Sequence, residues 1–233
     1  MHSHILPGID DGAKDVATSL QLIDGLIAMG YKELIASPHI MSDLYPNTEE
    51  TITAAYHQLK AAMDQRGYTI PLSFAAEYLI DEAFEAKIAE GPLLTFGNNY
   101  VLVETMFRDL PPNLTQALFE LETHDYQPVL AHPERYHYLD KKFTALEPFK
   151  ERNCLLQLNI LSLTGYYGPK EKEMAEALLD AGMVDLLGTD LHHSRHLRNL
   201  QQFSVSKKIA RQLEALSFKN KELLNLANHS LTA

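Results

Sequence analysis

Six short apolar runs rich in β-forming residues recur along the chain, at 32–39, 70–77, 99–105, 127–132, 154–160 and 183–190. Each is separated from the next by an amphipathic stretch of helical length. Strands alternating with helices pair in parallel, because a parallel neighbour is reached only through a long crossover. The helical texture is legible in places. Residues 14–29 put Val16, Leu20, Ile23 and Ile27 on one stripe, and the segment from Asn47 or Thr48 starts on a capping residue and stops at Gly67. Further helices are expected near 80–90, 113–124, 143–152 and 169–181, with two more in 198–231. A short strand at the extreme N-terminus brings the count to seven βα units. No linker, repeat or low-complexity tract divides the 233 residues. One α/β domain over 1–233 is therefore expected, closed as a βα barrel of TIM-like type. An open doubly wound sheet is the alternative, but no glycine-rich phosphate loop follows any strand.

The residues at the strand ends narrow the chemistry. His2 and His4 end the first strand, with Asp11 just beyond. His39 ends the second, Glu77 the third, Glu104 the fourth, His132 the fifth, Asn159 the sixth and Asp190 the seventh, followed by His192. The carboxyl ends of barrel strands form the active-site face, so donor-type residues recur on one rim. His2 and His4 are two apart and project to the same side of a strand. A closed barrel would set Asp190 and His192 beside them. One histidine at a strand end is an ordinary residue, and Asp11 within "DDG" alone is a turn residue. Seven polar strand ends out of seven are not. Imidazoles mixed with carboxylates suit Zn²⁺, Mn²⁺ or Fe rather than Ca²⁺ or a thiolate site, and nine potential ligands suggest two or three ions. Asp10 is expected only to shape the turn before Gly12. His57, His124 and His229 are expected to be solvated, and His137, His193 and His196 to sit near the rim.

Composition removes several rivals. A formal charge of −11 speaks against nucleic acid held on a basic surface. No apolar run reaches the roughly 18–20 residues that span a bilayer. The first residues lack the basic and apolar blocks of a signal peptide. Cys154 stands alone in an apolar strand start, which excludes a disulfide scaffold, fits a reducing cytoplasmic setting and points to a buried structural thiol.

The motifs "HSHILPGIDDG", "SPH" (37–39), "AAEY" (75–78), "VET" (103–105), "AHPERY" (131–136) and "GTDLHH" (188–193) resemble the PHP (polymerase and histidinol phosphatase) superfamily. More narrowly, they resemble the bacterial capsular-polysaccharide tyrosine phosphatases of the CpsB/YwqE type, in order and over essentially the whole chain. That resemblance implies a distorted seven-stranded (β/α)7 barrel with a trinuclear centre, often of Mn²⁺, with Zn²⁺, Fe or Co²⁺ as alternatives. By the same resemblance His2, His4, Glu77 and Asp190 would hold one ion. Glu77, Glu104 and His132 would hold a second, and Asp11, His39 and His192 a third. Arg135 matches the phosphate-binding arginine of the "H-x-E-R" segment. A second arginine follows "D-x-H", where Arg195 and Arg198 compete and Arg195 stands nearer the rim. The family's first strand has apolar residues before "HSH"; here only Met1 precedes His2, so either Met1 is an internal residue of a longer chain or the first strand is very short.

The chemistry expected of such a site is hydrolysis of a phosphomonoester, with a water shared between two ions as nucleophile and Arg135 on the phosphate oxygens. His192 is a candidate proton donor. The resemblance implies a protein-tyrosine phosphatase of capsule or exopolysaccharide synthesis, acting on the tyrosine-rich tail of a bacterial kinase. A histidinol-phosphatase-like activity remains open, as does a catalytically silent metal-binding or kinase-docking module. The loops 41–47, 107–113 and 163–169 are candidates for substrate contact.

Overall fold

The computed structural model describes residues 1–97 and 99–223. Every pairing between its named strands is parallel. Strands β1 (Leu34–Ala36) and β3 (Leu72–Phe74) pair with each other. Strands β2 (His39–Ile40), β4 (Glu77–Leu79), β5 (Tyr100–Glu104), β6 (Gln127–Ala131), β7 (Leu155–Asn159) and β8 (Leu186–Gly188) form a six-stranded sheet in that order. The helices that cross between strands are α1 (Val16–Ala28), α2 (Glu49–Gln65), α3 (Phe84–Glu90), α4 (Leu114–Thr123), α5 (Glu147–Glu151) and α6 (Pro169–Asp180).

β1 and β2 are two halves of the second expected strand, and β3 and β4 two halves of the third. The break at Ser37–Pro38 has a local cause: proline offers no N–H to a ladder. Ser37 turns its own N–H to the Ser3 carbonyl at 2.8 Å. His39 and Glu77 therefore open the second half of a strand instead of ending a continuous one. They still face each other, as register partners across β2 and β4.

The N-terminal segment is reduced to a single parallel bridge, Ser3 to Leu191. It is nonetheless held on both sides. His4 N–H donates to Leu191 O and Asp190 N–H to His2 O, both at 2.9 Å, opposite the bond from Ser37. Residues 2–6 are buried.

The strands alternate between two apolar environments, as a pleat requires. Val101, Val103, Leu130, Leu156 and Leu158 pack outward into the large cluster shared with the helices. Leu102, Val129, Ala131 and Leu186 turn the other way, into a smaller cluster with Ile35, Ala75, Phe96 and Leu223. On β7 the second row reads Leu155, Gln157, Asn159, so it passes from apolar to polar toward the carboxyl end. That gradient puts the functional groups at one end of an otherwise apolar interior.

Helix ends follow local chemistry. Asp15 caps α1 through a bond from Thr18 N–H, and Thr48 and Thr51 form a reciprocal capping box on α2. The C-terminal region holds three helices among the described residues rather than two: α7 (Ser194–Gln201), α8 (Lys207–Ala215) and α9 (Asn220–Leu223). The first starts earlier than expected because His193 caps it, accepting from His196 N–H. The expectation of helix over 224–231, and His229 with it, lies outside the described residues. No described helix is long and apolar enough to cross a membrane.

Candidate metal centre

The carboxyl ends of the strands carry a closely packed cluster of imidazoles and carboxylates. Four groups each have their donor atoms within 4.8 Å of one another: His4, Asp11, His39 and His192; His2, His4 and Glu77; His2, His132 and Asp190; and His39, Glu77 and Glu104. All nine expected donors are present. Eight are buried or nearly so, and Asp11 stands half-exposed at the mouth. The grouping differs from the expected one in two places. His39 turns Nδ1 toward Glu77 and Glu104 (3.2 and 3.0 Å) and Nε2 toward Asp11 (3.5 Å), so it links two groups. His132 Nε2 stands 3.1 Å from Glu77 Oε1 and 3.9 Å from Glu104 Oε2.

Proton bookkeeping in the network decides what this cluster can hold. Asp190 Oδ2 can only accept, so the 2.7 Å contact makes Asn159 Nδ2 the donor. Asn159 Oδ1 then accepts from Gln157 Nε2 at 3.0 Å, which leaves Gln157 Oε1 to accept from His2 Nδ1. On the other side, Asp10 Oδ2 accepts from His4 Nδ1 at 2.8 Å while Oδ1 takes the Gly12 N–H at 2.9 Å. With those protons placed, a neutral His2 and a neutral His4 each carry a bare lone pair on Nε2. The two Nε2 atoms lie 3.3 Å apart. Each also faces Glu77 Oε2 (3.2 and 3.3 Å) and Asp190 Oδ1 (3.3 and 3.5 Å).

Four acceptors thus converge with no proton between them unless a histidine takes on charge. Neither oxygen of Glu77 has a hydrogen-bond partner, although Glu77 is fully buried and four imidazole nitrogens stand 3.1–3.3 Å away. Burying an unpaired carboxylate is costly enough that a counter-charge is required. Donors bound at about 2.0–2.2 Å to a common ion would be spaced about 3.0–3.5 Å apart, as these are. The residues fit a divalent cation.

The titration behaviour reports the same demand for positive charge. Burial opposes protonation of His4, but Asp10, Asp190 and Glu77 lift its pKa well above the usual value. Burial and His4 both oppose the charge on His39, yet Glu77, Asp11 and Glu104 raise it to about 10. Burial would raise Glu77 and Asp190, but the surrounding imidazoles, His2 foremost, hold both well below the ordinary carboxylate range. Cations that enter would displace those protons.

Three of the seven described non-glycine residues with positive φ belong to one donor group. His2, His132 and Asp190 all adopt left-handed backbone, with φ of 60°, 34° and 47°. Non-glycine residues there store of order 1–3 kcal/mol each, which the hydrogen bonds around them must offset. The turn ends pairing after β6 and β8 and swings each side chain inward. Two glycines make room: a Cβ on Gly12 would sit 2.1 Å from His4 O, and one on Gly188 would sit 2.4 Å from Gln157 Nε2.

Above the donors lies a cavity of about 330 Å³, walled by Met41, Leu44, Tyr45, Phe107, Arg135 and Tyr167. Each of the three expected contact loops contributes to it. Arg135 Nη1 donates to Asp190 Oδ2 at 3.0 Å, and its guanidinium lies between the Phe107 and Tyr167 rings, 4.8 and 4.5 Å from their centroids. Stacking of this kind contributes about 0.5–2 kcal/mol per ring and fixes the plane of the fork. Behind it, Glu134 Oε1 accepts from Asn159 N–H (3.0 Å) and the Ser162 hydroxyl (2.6 Å), which clamps the turn bearing Arg135 to the end of β7.

Arg195 is not at this cavity. Its guanidinium lies 5.5 Å from the Tyr166 ring, in a separate recess with Thr164, Asn199, Gln202 and Ser204. Arg198 is exposed on α7 and lines neither space. Of the other histidines, His57, His124 and His137 are exposed. His193 borders the cavity, and His196 is buried with Nδ1 3.0 Å from Asp190 O. Sequence reasoning missed Asp10 as the partner of His4, Gln157 as the partner of His2, and the clamp at Glu134. The signal for Gln157 was a polar residue inside the apolar run "CLLQLNI".

Cys154 is buried at the start of β7, away from the donors, and burial pushes its thiol pKa up, so it is no thiolate nucleophile. Cys154→Ser should keep the specific activity of the folded protein within about twofold, measured on a small aryl phosphate. Loss of nearly all activity would show that the thiol takes part.

The family model for capsular polysaccharide synthesis, CpsB/CapC, matches residues 1–224. Tyrosine-protein phosphatase YwqE of Bacillus subtilis is 28% identical over 229 residues, 96% of this chain and 90% of that protein. Tyrosine-protein phosphatase CpsB of Streptococcus pneumoniae is 26% identical over 204 residues, covering 83% of this chain and 82% of the relative. A solved structure from work on YwqE of B. subtilis and CpsB of S. pneumoniae, described as unique metal-dependent tyrosine phosphatases, superposes with a TM-score of 0.75 at 26% identity. It covers all of this chain and 87% of that one.

Proposed function

The chain belongs to the CpsB/CapC family of capsular polysaccharide synthesis, and from that premise we propose that it is a metal-dependent protein-tyrosine phosphatase. The observation that carries the reading is the set of bare, converging lone pairs on His2, His4, Glu77 and Asp190. The fold reading that goes with it is one domain, a distorted seven-stranded barrel. It is supported by the seating of the N-terminal segment between Ser37 and Leu191 and by the two apolar clusters on opposite faces of the strands.

The residues that would hold ions are His2, His4, Glu77 and Asp190; Glu77, Glu104, His39 and His132; and Asp11, His39, His192 and His4. Manganese is the ion we propose first. Bound divalent ions would supply a water acidified to near-neutral pKa and would neutralise phosphate charge. The chain's own residues do the rest. Asp10 and Gln157 fix the tautomers of His4 and His2 so that Nε2 faces inward, a role whose loss typically costs 10–100-fold in metal affinity. His192 donates through Nδ1 to Asp190 O at 3.0 Å and turns Nε2 toward Asp11, which suits a ligand better than a proton donor. Arg135 presents its fork to the phosphate oxygens, and it does so alone, because the arginines of α7 lie outside the cavity. Tyr45, Phe107 and Leu44 offer an apolar wall to an aryl group. A phenol leaving group of pKa about 10 needs little proton donation. The kinase of a capsule or exopolysaccharide system, met in the cytoplasm, is the substrate we propose.

The test is turnover of a phosphotyrosine peptide, histidinol phosphate and single-stranded DNA, each with Mn²⁺ and with chelator. Hydrolysis of the peptide, abolished by chelator, is the expected result. Turnover of histidinol phosphate far above the peptide would displace the substrate, and degradation of DNA alone would displace the reaction.

A further inference from the structure

Five large apolar side chains stand exposed among the described residues: Ile27 (38%) on α1, Phe119 (41%) on α4, and three on loops, Leu44 (71%), Met106 (63%) and Phe107 (39%). The three loop residues lie on the two loops that flank the cavity mouth. Leu44 and Phe107 both border the cavity, and Met106 precedes Phe107. The loops that carry them are built, not loose. Met41 and Tyr45 exchange two backbone hydrogen bonds (2.9 and 3.1 Å), which holds Leu44 at the tip of a tight hairpin. Asp81 joins this loop to the next: its carboxylate accepts from Ser42 N–H at 3.0 Å, and its carbonyl accepts from Asn113 Nδ2 at 2.9 Å. Asn113 closes the 106–113 loop, so both lips of the mouth hang on one residue.

A preformed apolar ledge in water has an energetic reason to be covered. We propose that Leu44 and Met106 form a subsite for an apolar side chain adjacent to the phosphotyrosine of a peptide substrate. The proposal rests on the phosphotyrosine reading of the cavity, whose wall Leu44 and Phe107 share with Arg135, so the ledge begins where the cavity opens. The charges around the ledge argue against an acidic neighbour. Asp43, Arg108 and Asp109 are exposed on the same loops and sum to a negative charge. An apolar flank gains contact there, whereas an acidic one gains repulsion.

The experiment compares kcat/KM for matched phosphotyrosine peptides with leucine or aspartate beside the phosphotyrosine, and for p-nitrophenyl phosphate, in the wild type and Met106→Ala. Met106 lies outside the cavity wall, so p-nitrophenyl phosphate turnover should be unchanged. The wild type should favour the leucine peptide about tenfold, through KM, and Met106→Ala should cut that preference to about threefold. Equal turnover of the two peptides by the wild type overturns the subsite, as does a preference that survives Met106→Ala intact. A wild-type dimer lost in Met106→Asp, with no peptide preference, would assign the ledge to a second copy and also overturn it. Failure to hydrolyse any of the three substrates with any divalent ion defeats the phosphatase reading instead.

Discussion

Glu77→Gln is expected to lower kcat/KM for a phosphotyrosine peptide by more than about 10³-fold, over about 4 kcal/mol of transition-state stabilisation. Glu77 is fully buried, and its two oxygens face four imidazole nitrogens, two from the N-terminal segment, one from β2 and one from the end of β6. The amide keeps the shape but removes the charge shared by two donor groups, and it points an N–H where a lone pair is needed. The same substitution separates a metal role from a structural one. A ligand that binds only the folded state raises its stability by mass action. Saturating Mn²⁺ should therefore raise the melting temperature of the wild type by several degrees and that of Glu77→Gln much less. The metal-free proteins should melt together, or the variant higher, because it no longer buries an uncompensated carboxylate. A variant that keeps both its activity and its response to Mn²⁺ would remove Glu77 from the centre.

Arg135 carries the second large effect. The cavity contains Asp11, Glu104 and Asp190 at its lining and only this one guanidinium, so every contact it gives a phosphate counts. Its position is fixed before substrate arrives by Asp190, by the two rings and, through Glu134, by the end of β7. Preorganised donors of this kind account for about 10²–10³ in rate, or roughly 2.7–4 kcal/mol. Arg135→Ala should lose that much in kcat/KM while leaving the number of bound ions unchanged. Arg135→Lys should recover little, since an ammonium neither stacks between Phe107 and Tyr167 nor forks onto two oxygens. A lysine variant close to wild type would mean that the arginine is only a general positive charge.

The donors themselves could be read from the sequence because strand ends in a βα fold point to one rim, and each donor falls at or beside such an end. Their support could not. Whether Asp10 or Asp11 meets the cavity depends on the turn that Gly12 permits, and both aspartates look alike in "DDG". Gln157 acts on His2 across 155 positions, through a contact that exists only once the N-terminal segment is seated. Arg195 illustrates the opposite error. Closeness in sequence to His192 placed it at the rim, but α7 begins at Ser194 and carries the side chain over Tyr166. The split of the second and third strands follows from Pro38 and from the bond that Ser37 makes to Ser3. Neither the length of β2 nor the single bridge of the first strand is visible in hydrophobic pattern alone.

Hydrolysis is expected to depend on divalent ions bound by the buried donor cluster. The most direct measurement strips the protein of metal, titrates Mn²⁺ back, and counts bound ions by equilibrium dialysis alongside phosphotyrosine-peptide turnover. Two or three ions per chain are predicted, with no turnover before the first and full turnover only after the second. Undiminished hydrolysis by protein verified to contain no metal would contradict the account.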